Sequence, residues 1–172
     1  SDCLVGSEMC IRDRMKTTMK VAAQRNAFKE DVKLTAEFES GLLTYTTGNS
    51  SVIDRFFLGS RKMRGFDAGG IGPRECLNRN CGVGNNDALG GENFAVVRFE
   101  AEFPLGLPDE YGMTGGLFYD IGNLWSLNNS NNDVLYEDGS WRQAIGASIF
   151  WKTPIGPLRF NFSDVLKKEQ YD

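Results

Sequence analysis

The groups in this chain that could do chemistry are carboxylates, arginines and four cysteines; histidine is absent. Without it, the usual general base near neutral pH and the commonest ligand of zinc and copper are missing. Glu100 and Glu102 share a strand face, which is the residue pair of a glycosidase, but no aromatic sugar platform accompanies them. Gly69-Gly70-Ile71-Gly72 is not followed by the Lys-Ser/Thr of a phosphate loop. Asn128 to Asp133 is rich in Asn and Asp but lacks the glycine and terminal Glu of a calcium loop, and reads as the tip of a connection. Two patterns remain. One is a lone arginine in Met63-Arg64-Gly65-Phe66; the other is Cys76 and Cys81 at C-x4-C spacing, too few ligands for a zinc site. Neither implies an enzyme, a cofactor or a bound metal.

Those residues must be carried by strands. From Met15 onward apolar and polar residues alternate with period 2 rather than 3.6. The alternation predicts strands over 16–28, 32–46, 94–103, 115–125, 141–151 and 158–165. In one of them Ala95, Val97, Phe99, Ala101 and Phe103 oppose Phe94, Val96, Arg98, Glu100 and Glu102. In another, Leu117, Tyr119 and Ile121 oppose Phe118, Asp120 and Gly122, so Asp120 shares the polar side. No run of about 18 apolar residues exists, so no helix is long and apolar enough to cross a bilayer. That leaves a membrane barrel open, because its strands need only about 9–11 residues and are apolar on one face.

A half-buried soluble sheet alternates too. Two features favour a barrel. Connections run short (29–31, 104–112, 153–157) and long (47–92, 126–140) in turn, as in barrels with short turns at one end and long loops at the other. The polar face also carries full charges (Glu37, Glu39, Arg98, Glu100, Glu102), which an aqueous lumen tolerates and a dry core does not. Trp125, Trp141, Trp151 and Tyr111 fall near strand ends, where aromatic girdles lie. Lys+Arg is 19 against Asp+Glu 23, a formal charge of −4, which argues against a nucleic-acid partner. Glycine is frequent, 20 of 172 residues against roughly 7% in ordinary chains.

The fold class expected is therefore all-β, part of a transmembrane antiparallel β-barrel of about six consecutive strands over residues 15–172, with a long extracellular loop at 47–92. Residues 1–14, SDCLVGSEMCIRDR, differ in character from the rest and read as a non-native, unstructured leader. Six strands are too few to close a lipid-facing barrel, for which about eight is the smallest number. The expectation is an incomplete barrel whose last strand is missing.

The long loop, with Asp54-Arg55-Phe56-Phe57-Leu58-Gly59 and Met63-Arg64-Gly65-Phe66, resembles the sixth extracellular loop of the BamA family of outer-membrane assembly factors. The resemblance continues through Val97-Arg98-Phe99-Glu100-Ala101-Glu102-Phe103-Pro104 and Gly115 to Trp125, and through Ser148 to Phe160, with the blocks in the family's order. It implies that this loop folds back into the barrel lumen. Arg64 would match the motif arginine, with Glu100 and Asp120 as its acidic partners on neighbouring strands. Gly65 would allow close backbone approach, Phe66 would pack in the lumen, and Met63 stands where the family has a branched residue. The resemblance further implies a factor in the outer membrane of a Gram-negative bacterium that inserts and folds other barrel proteins. Its partners would be unfolded outer-membrane proteins, accessory lipoproteins and outer-membrane lipid, and this stretch alone would have no assembly activity. In that oxidising setting Cys76 and Cys81 form a loop disulfide or stay as two thiols. Two rival readings stand beside this one: a TamA-like or two-partner secretion translocator of the same superfamily, and a soluble β-sheet binding module.

Overall fold

The computed structural model describes residues 14–27, 31–46, 50–75, 87–127, 134–170 and 172. The strands are β1 (Arg14–Ala27), β2 (Val32–Tyr45), β3 (Arg74–Glu75), β4 (Asn93–Pro104), β5 (Met113–Trp125), β6 (Val134–Leu135), β7 (Arg142–Thr153) and β8 (Gly156–Lys167). Six of them form one sheet in the order β1-β2-β4-β5-β7-β8, and every neighbouring pair is antiparallel. β3 and β6 pair separately and tie the two long connections together. The chain is an open antiparallel sheet of six long strands, the architecture of part of a transmembrane barrel. One boundary is corrected: Arg14, assigned to the leader, opens β1 opposite Tyr45. The rest of that segment, with Cys3 and Cys10, lies outside the described residues.

Strand length and register follow from the alternation. Val21↔Phe38↔Val97↔Ile121 run across four strands in one row, as do Ala36↔Phe99↔Tyr119↔Ile145. A one-residue slip would turn each row to the opposite face, so the pattern pins the register. This face is bare: Met19, Val21, Leu34, Phe99, Leu117, Ile145, Phe160 and Phe162 are all exposed large apolar side chains. A soluble protein rarely shows such a contiguous apolar patch, and a lipid-facing wall requires one. Pro104, which has no N–H to donate, ends β4. β7 and β8 meet in a two-residue hairpin, closed by Thr153 Oγ1 donating to the Gly156 carbonyl at 2.6 Å. The pairing is interrupted by an irregularity between Gln143 and Ala144.

The opposite face is covered at the long-loop end by residues 50–75. Between sheet and loop lies an apolar cluster of Leu43, Phe94, Val96, Leu124 and Ala144 from the strands and Phe56, Leu58, Met63, Phe66 and Ile71 from the loop. Phe56 and Phe94 meet edge to face, with ring centroids 4.8 Å apart. The polar face is thus divided: its loop-end half is dry and apolar, and its turn-end half carries the charges.

Met63 is fully buried over Gly122, where a Cβ would stand 2.5 Å from the Met63 Sδ and 3.0 Å from Val96 Cγ2. The glycine makes room for the unbranched thioether, so Gly122→Val should lift the loop off the sheet. The expected cost is roughly 1–3 kcal/mol, as for overpacking elsewhere. It should appear as a lower urea midpoint for the heat-modifiable folded band with strand content retained; an unchanged midpoint contradicts this packing.

Candidate functional site

The loop is held rigid before it reaches the sheet. Phe56 and Gly91 exchange backbone hydrogen bonds at 2.9 and 3.0 Å, and Leu58 bridges Ile71. A tight turn then brings the Lys62 and Met63 amides onto the Gly59 carbonyl, both at 2.9 Å. Gly59 itself is packed against backbone, since a Cβ there would collide with the Asp67 carbonyl oxygen. The turn delivers Met63, Arg64, Gly65 and Phe66 to the strands. Gly65 has φ +92°, which an L side chain rarely adopts, and a Cβ would press on Ser163 and Val165 of β8 at 3.2 Å. Phe66 is buried in the apolar cluster.

Arg64 lands between two carboxylates. Its Nε donates to Asp120 Oδ2 at 2.8 Å and its Nη2 to Asp120 Oδ1 at 2.5 Å, a bidentate fork. Its backbone N–H also donates to Asp120 Oδ2, at 3.1 Å. Its Nη1 donates to Glu100 Oε2 at 2.5 Å. The guanidinium lies over the Phe118 ring, 3.7 Å from the centroid. Burial works against the charge, but the Asp120 and Glu100 hydrogen bonds outweigh it and hold the Arg64 pKa above its ordinary value. Asp120 is fully buried, and its only charge partner among the described residues is this arginine.

Further pairs surround this contact. Lys62 reaches Glu39, with its Nζ 4.1 Å from the Phe94 ring centroid. Arg98 pairs with Glu37 at 2.9 Å and Glu39 at 3.4 Å, and Lys20 with Glu37. Arg159 of β8 reaches the same Glu100 Oε2 that Arg64 uses. A polar cavity of about 280 Å³ lies beside these groups, lined by Glu37, Arg61, Arg64, Arg98, Glu100 and Arg159 among others.

The structure therefore brings together Arg64, Glu100 and Asp120, with Gly65 and Phe66 beside them. Cys76 and Cys81 lie outside the described residues, as does the Asn/Asp-rich tip. The sequence reading passes over Arg159, Lys62 and the ring beneath the guanidinium. Parity is the available signal, since Arg159, Asn161 and Ser163 alternate onto the same face as Glu100 and Asp120.

The base of the loop has its own tether. Asp54 accepts from the Tyr45 hydroxyl at 3.0 Å and pairs with Arg14, while Lys16 Nζ donates to the Asp54 carbonyl at 2.8 Å. Buried Arg55 donates to Ser50 Oγ at 2.9 Å and to the Ser50 and Leu89 carbonyls at 2.8 and 3.0 Å; its burial lowers its pKa. Burial opposes the Asp54 charge as well, yet the Tyr45 hydroxyl and the Arg14 guanidinium hold its carboxyl below the ordinary aspartate range. A depressed pKa stabilises the fold above the unfolded value, about 3.9, and the gain fades as pH falls through the lower folded value. Relative to the intrinsic amide rate, which itself falls in acid, exchange of peptide 50–58 should therefore accelerate on acidification below about pH 4. Asp54→Asn should show the fast exchange already at neutral pH and lose the acid step. An identical acid response in both chains contradicts the tether.

Comparison with known proteins places this geometry. Residues 6–172 match the Omp85 superfamily domain, a span that includes part of the segment set apart as a leader. The chain is similar to the outer membrane protein assembly factor BamA of Neorickettsia risticii (strain Illinois), at 30% identity over 92% of this chain and 20% of the relative. It is also similar to BamA of Neisseria meningitidis serogroup B, at 26% identity over 66% of this chain and 16% of the relative. The chain thus spans about a fifth or less of the length of these curated relatives. Among solved structures, BamA from Haemophilus ducreyi lacking POTRA domains 1–3 superposes with a TM-score of 0.68, at 19% identity over 92% of this chain and 32% of that one. That likeness establishes the fold, an open portion of a BamA-type barrel. The relatives locate the protein in the outer membrane of a Gram-negative bacterium, as the sequence suggests. With residues 6–172 matched to the family domain, the chain belongs to the Omp85 superfamily.

Proposed function

We propose that this chain is the loop-bearing wall of an outer-membrane assembly factor that inserts and folds other β-barrel proteins. Its substrates would be unfolded outer-membrane proteins, with accessory lipoproteins and outer-membrane lipid as partners. The two curated relatives compared above, each named as an outer membrane protein assembly factor, support this reading. In it, the bare apolar face meets lipid, the charged face lines the lumen, and the loop segment that carries Met63-Arg64-Gly65-Phe66 folds into that lumen and stabilises the barrel wall. No covalent step is assigned to the site.

The observation that carries the role of the loop is the fork between Arg64 and Asp120, extended to Glu100. One loop residue thereby joins two adjacent strands, β4 and β5, through charge-assisted bonds. A cationic point charge would not reproduce this, because only the guanidinium matches a carboxylate edge to edge while a third nitrogen reaches the second acid. The test uses the polypeptide as its cell makes it. Arg64→Ala strands a buried carboxylate and should cost about 3–5 kcal/mol, as breaking buried pairs does. Both the heat-modifiable form and the insertion of a reporter barrel protein should fall. Arg64→Lys, which keeps charge without the fork, should lie between. Undiminished assembly and heat-modifiability in Arg64→Ala overturn the proposed role of the loop.

A further inference from the structure

Glu100 holds two arginines, only one of which belongs to the loop. Arg64 Nη1 donates to Glu100 Oε2 at 2.5 Å, and Arg159 Nη2 donates to the same oxygen. Arg159 stands on β8, three strands away from Glu100 on β4. In a flat sheet the lateral separation alone is roughly 14 Å at about 4.8 Å per strand, and the register row of Arg159 meets β4 at Pro104 rather than at Glu100, so the sheet must curve toward its covered face. Two rings floor the path, Phe150 beneath Arg159 and Phe118 beneath Arg64, and small residues open the rest. In the register row Glu102↔Gly116↔Ser148↔Asn161, the intervening strands present only a glycine and a serine. In the row Glu100↔Phe118↔Gly146↔Ser163, β7 again presents glycine.

Among the described residues, Arg159 is held by groups of the sheet. Its Nε donates to Asn161 Oδ1 at 2.8 Å, and its Nη2 lies 3.3 Å from Ser148 Oγ. Ser148 in turn donates to Asn161 at 2.8 Å, and the guanidinium stacks 4.7 Å from the Phe150 ring centroid. None of these partners is in the loop. A carboxylate offers about four lone-pair sites, so one oxygen accepts two donors without either excluding the other. Arg64 and Arg159 also match Glu100 and Asp120 in charge, so this group of four is neutral.

We infer that Arg159 is a positioning residue that orients the Glu100 carboxylate to receive Arg64, so that the sheet itself prepares the docking site of the loop. This rests on the reading of the loop given under Proposed function and names a further residue that sets how firmly the loop is held. The effect is preorganisation: a glutamate already immobilised by one arginine loses less freedom when the second arrives.

A double-mutant cycle in the native membrane tests it, read as the rate at which proteinase K cuts within 50–75 of the folded protein. Arg159→Gln should raise that rate roughly five- to tenfold, the scale of coupling between contacting residues. With Glu100→Gln already present, Arg159→Gln should add less than about twofold, because its target is gone. Arg159→Lys should recover part of the protection. If Arg159→Gln yields no folded band, Arg159→Lys is carried through the same cycle against the same criterion. Equal effects of the Arg159 substitution with Glu100 intact and in the Glu100→Gln background overturn the inference, since a merely structural arginine would act on either. Arg64→Gln separates the two proposals: if it leaves the cutting rate unchanged on both backgrounds, the proposed loop function fails. If Arg64 couples to Glu100 while Arg159 does not, only this inference fails.

Discussion

The structure turns on a guanidinium that has left water for a protein surface. Arg64 is mostly buried, and Asp120 beneath it is entirely so. Neither charge is tolerable there alone, since a buried ion left unpaired costs several kcal/mol even after its surroundings relax. Every local feature of the loop follows from bringing them together. The Gly59 turn aims the segment, Gly65 takes a backbone angle closed to other residues, and Asp120 also accepts the Arg64 backbone N–H. That last bond fixes the main chain as well as the side chain. The loop must therefore sit at one position along β5, and the residues on either side of Arg64 are placed with it.

Affinity and position come from different residues. A buried ion pair roughly breaks even against its desolvation, so the pair of Arg64 and Asp120 contributes little net stability. Burying a large apolar side chain contributes about 1.5–3 kcal/mol, and the loop buries Phe56, Leu58, Met63, Phe66 and Ile71. Those contacts hold the loop down, but they are non-directional and would accept sliding. The fork of hydrogen bonds does not accept it. Thus Met63 and Phe66 supply adhesion on both sides of an arginine that supplies register.

The alternation of side chains is readable in the residues because period 2 is a local property. Val97, Phe99 and Ala101 must share a face whatever surrounds them. The same parity places Glu100 and Asp120 together, and family resemblance points to Arg64 as their partner. What parity cannot tell is which part of a face is dry. Phe94 and Val96 have the parity of Arg98 and Glu100, and so read as lining water; the loop that buries them begins far earlier in the chain. Arg159 is hidden for a related reason. Its contact with Glu100 spans 59 positions and depends on sheet curvature, which is set by small residues on strands between them. The fit of Met63 over Gly122 is likewise a match between two ordinary residues, invisible until the loop is laid on the sheet.

Curvature links the two faces of the sheet. On the bare face the rows are crowded with Phe99, Leu117, Tyr119, Ile145, Phe160 and Phe162; on the covered face the same strands carry Gly116, Gly122, Gly146 and Ser148. Set between the larger covered residues Phe94, Phe118 and Phe150, these small residues let the wall bend inward, as a barrel wall must. The bend shortens the reach from β8 to β4, which brings Arg159 onto Glu100. The glycines that make the charged face concave thus serve the ion cluster and the membrane wall together. Adding side chains to them would loosen the loop and flatten the wall at once.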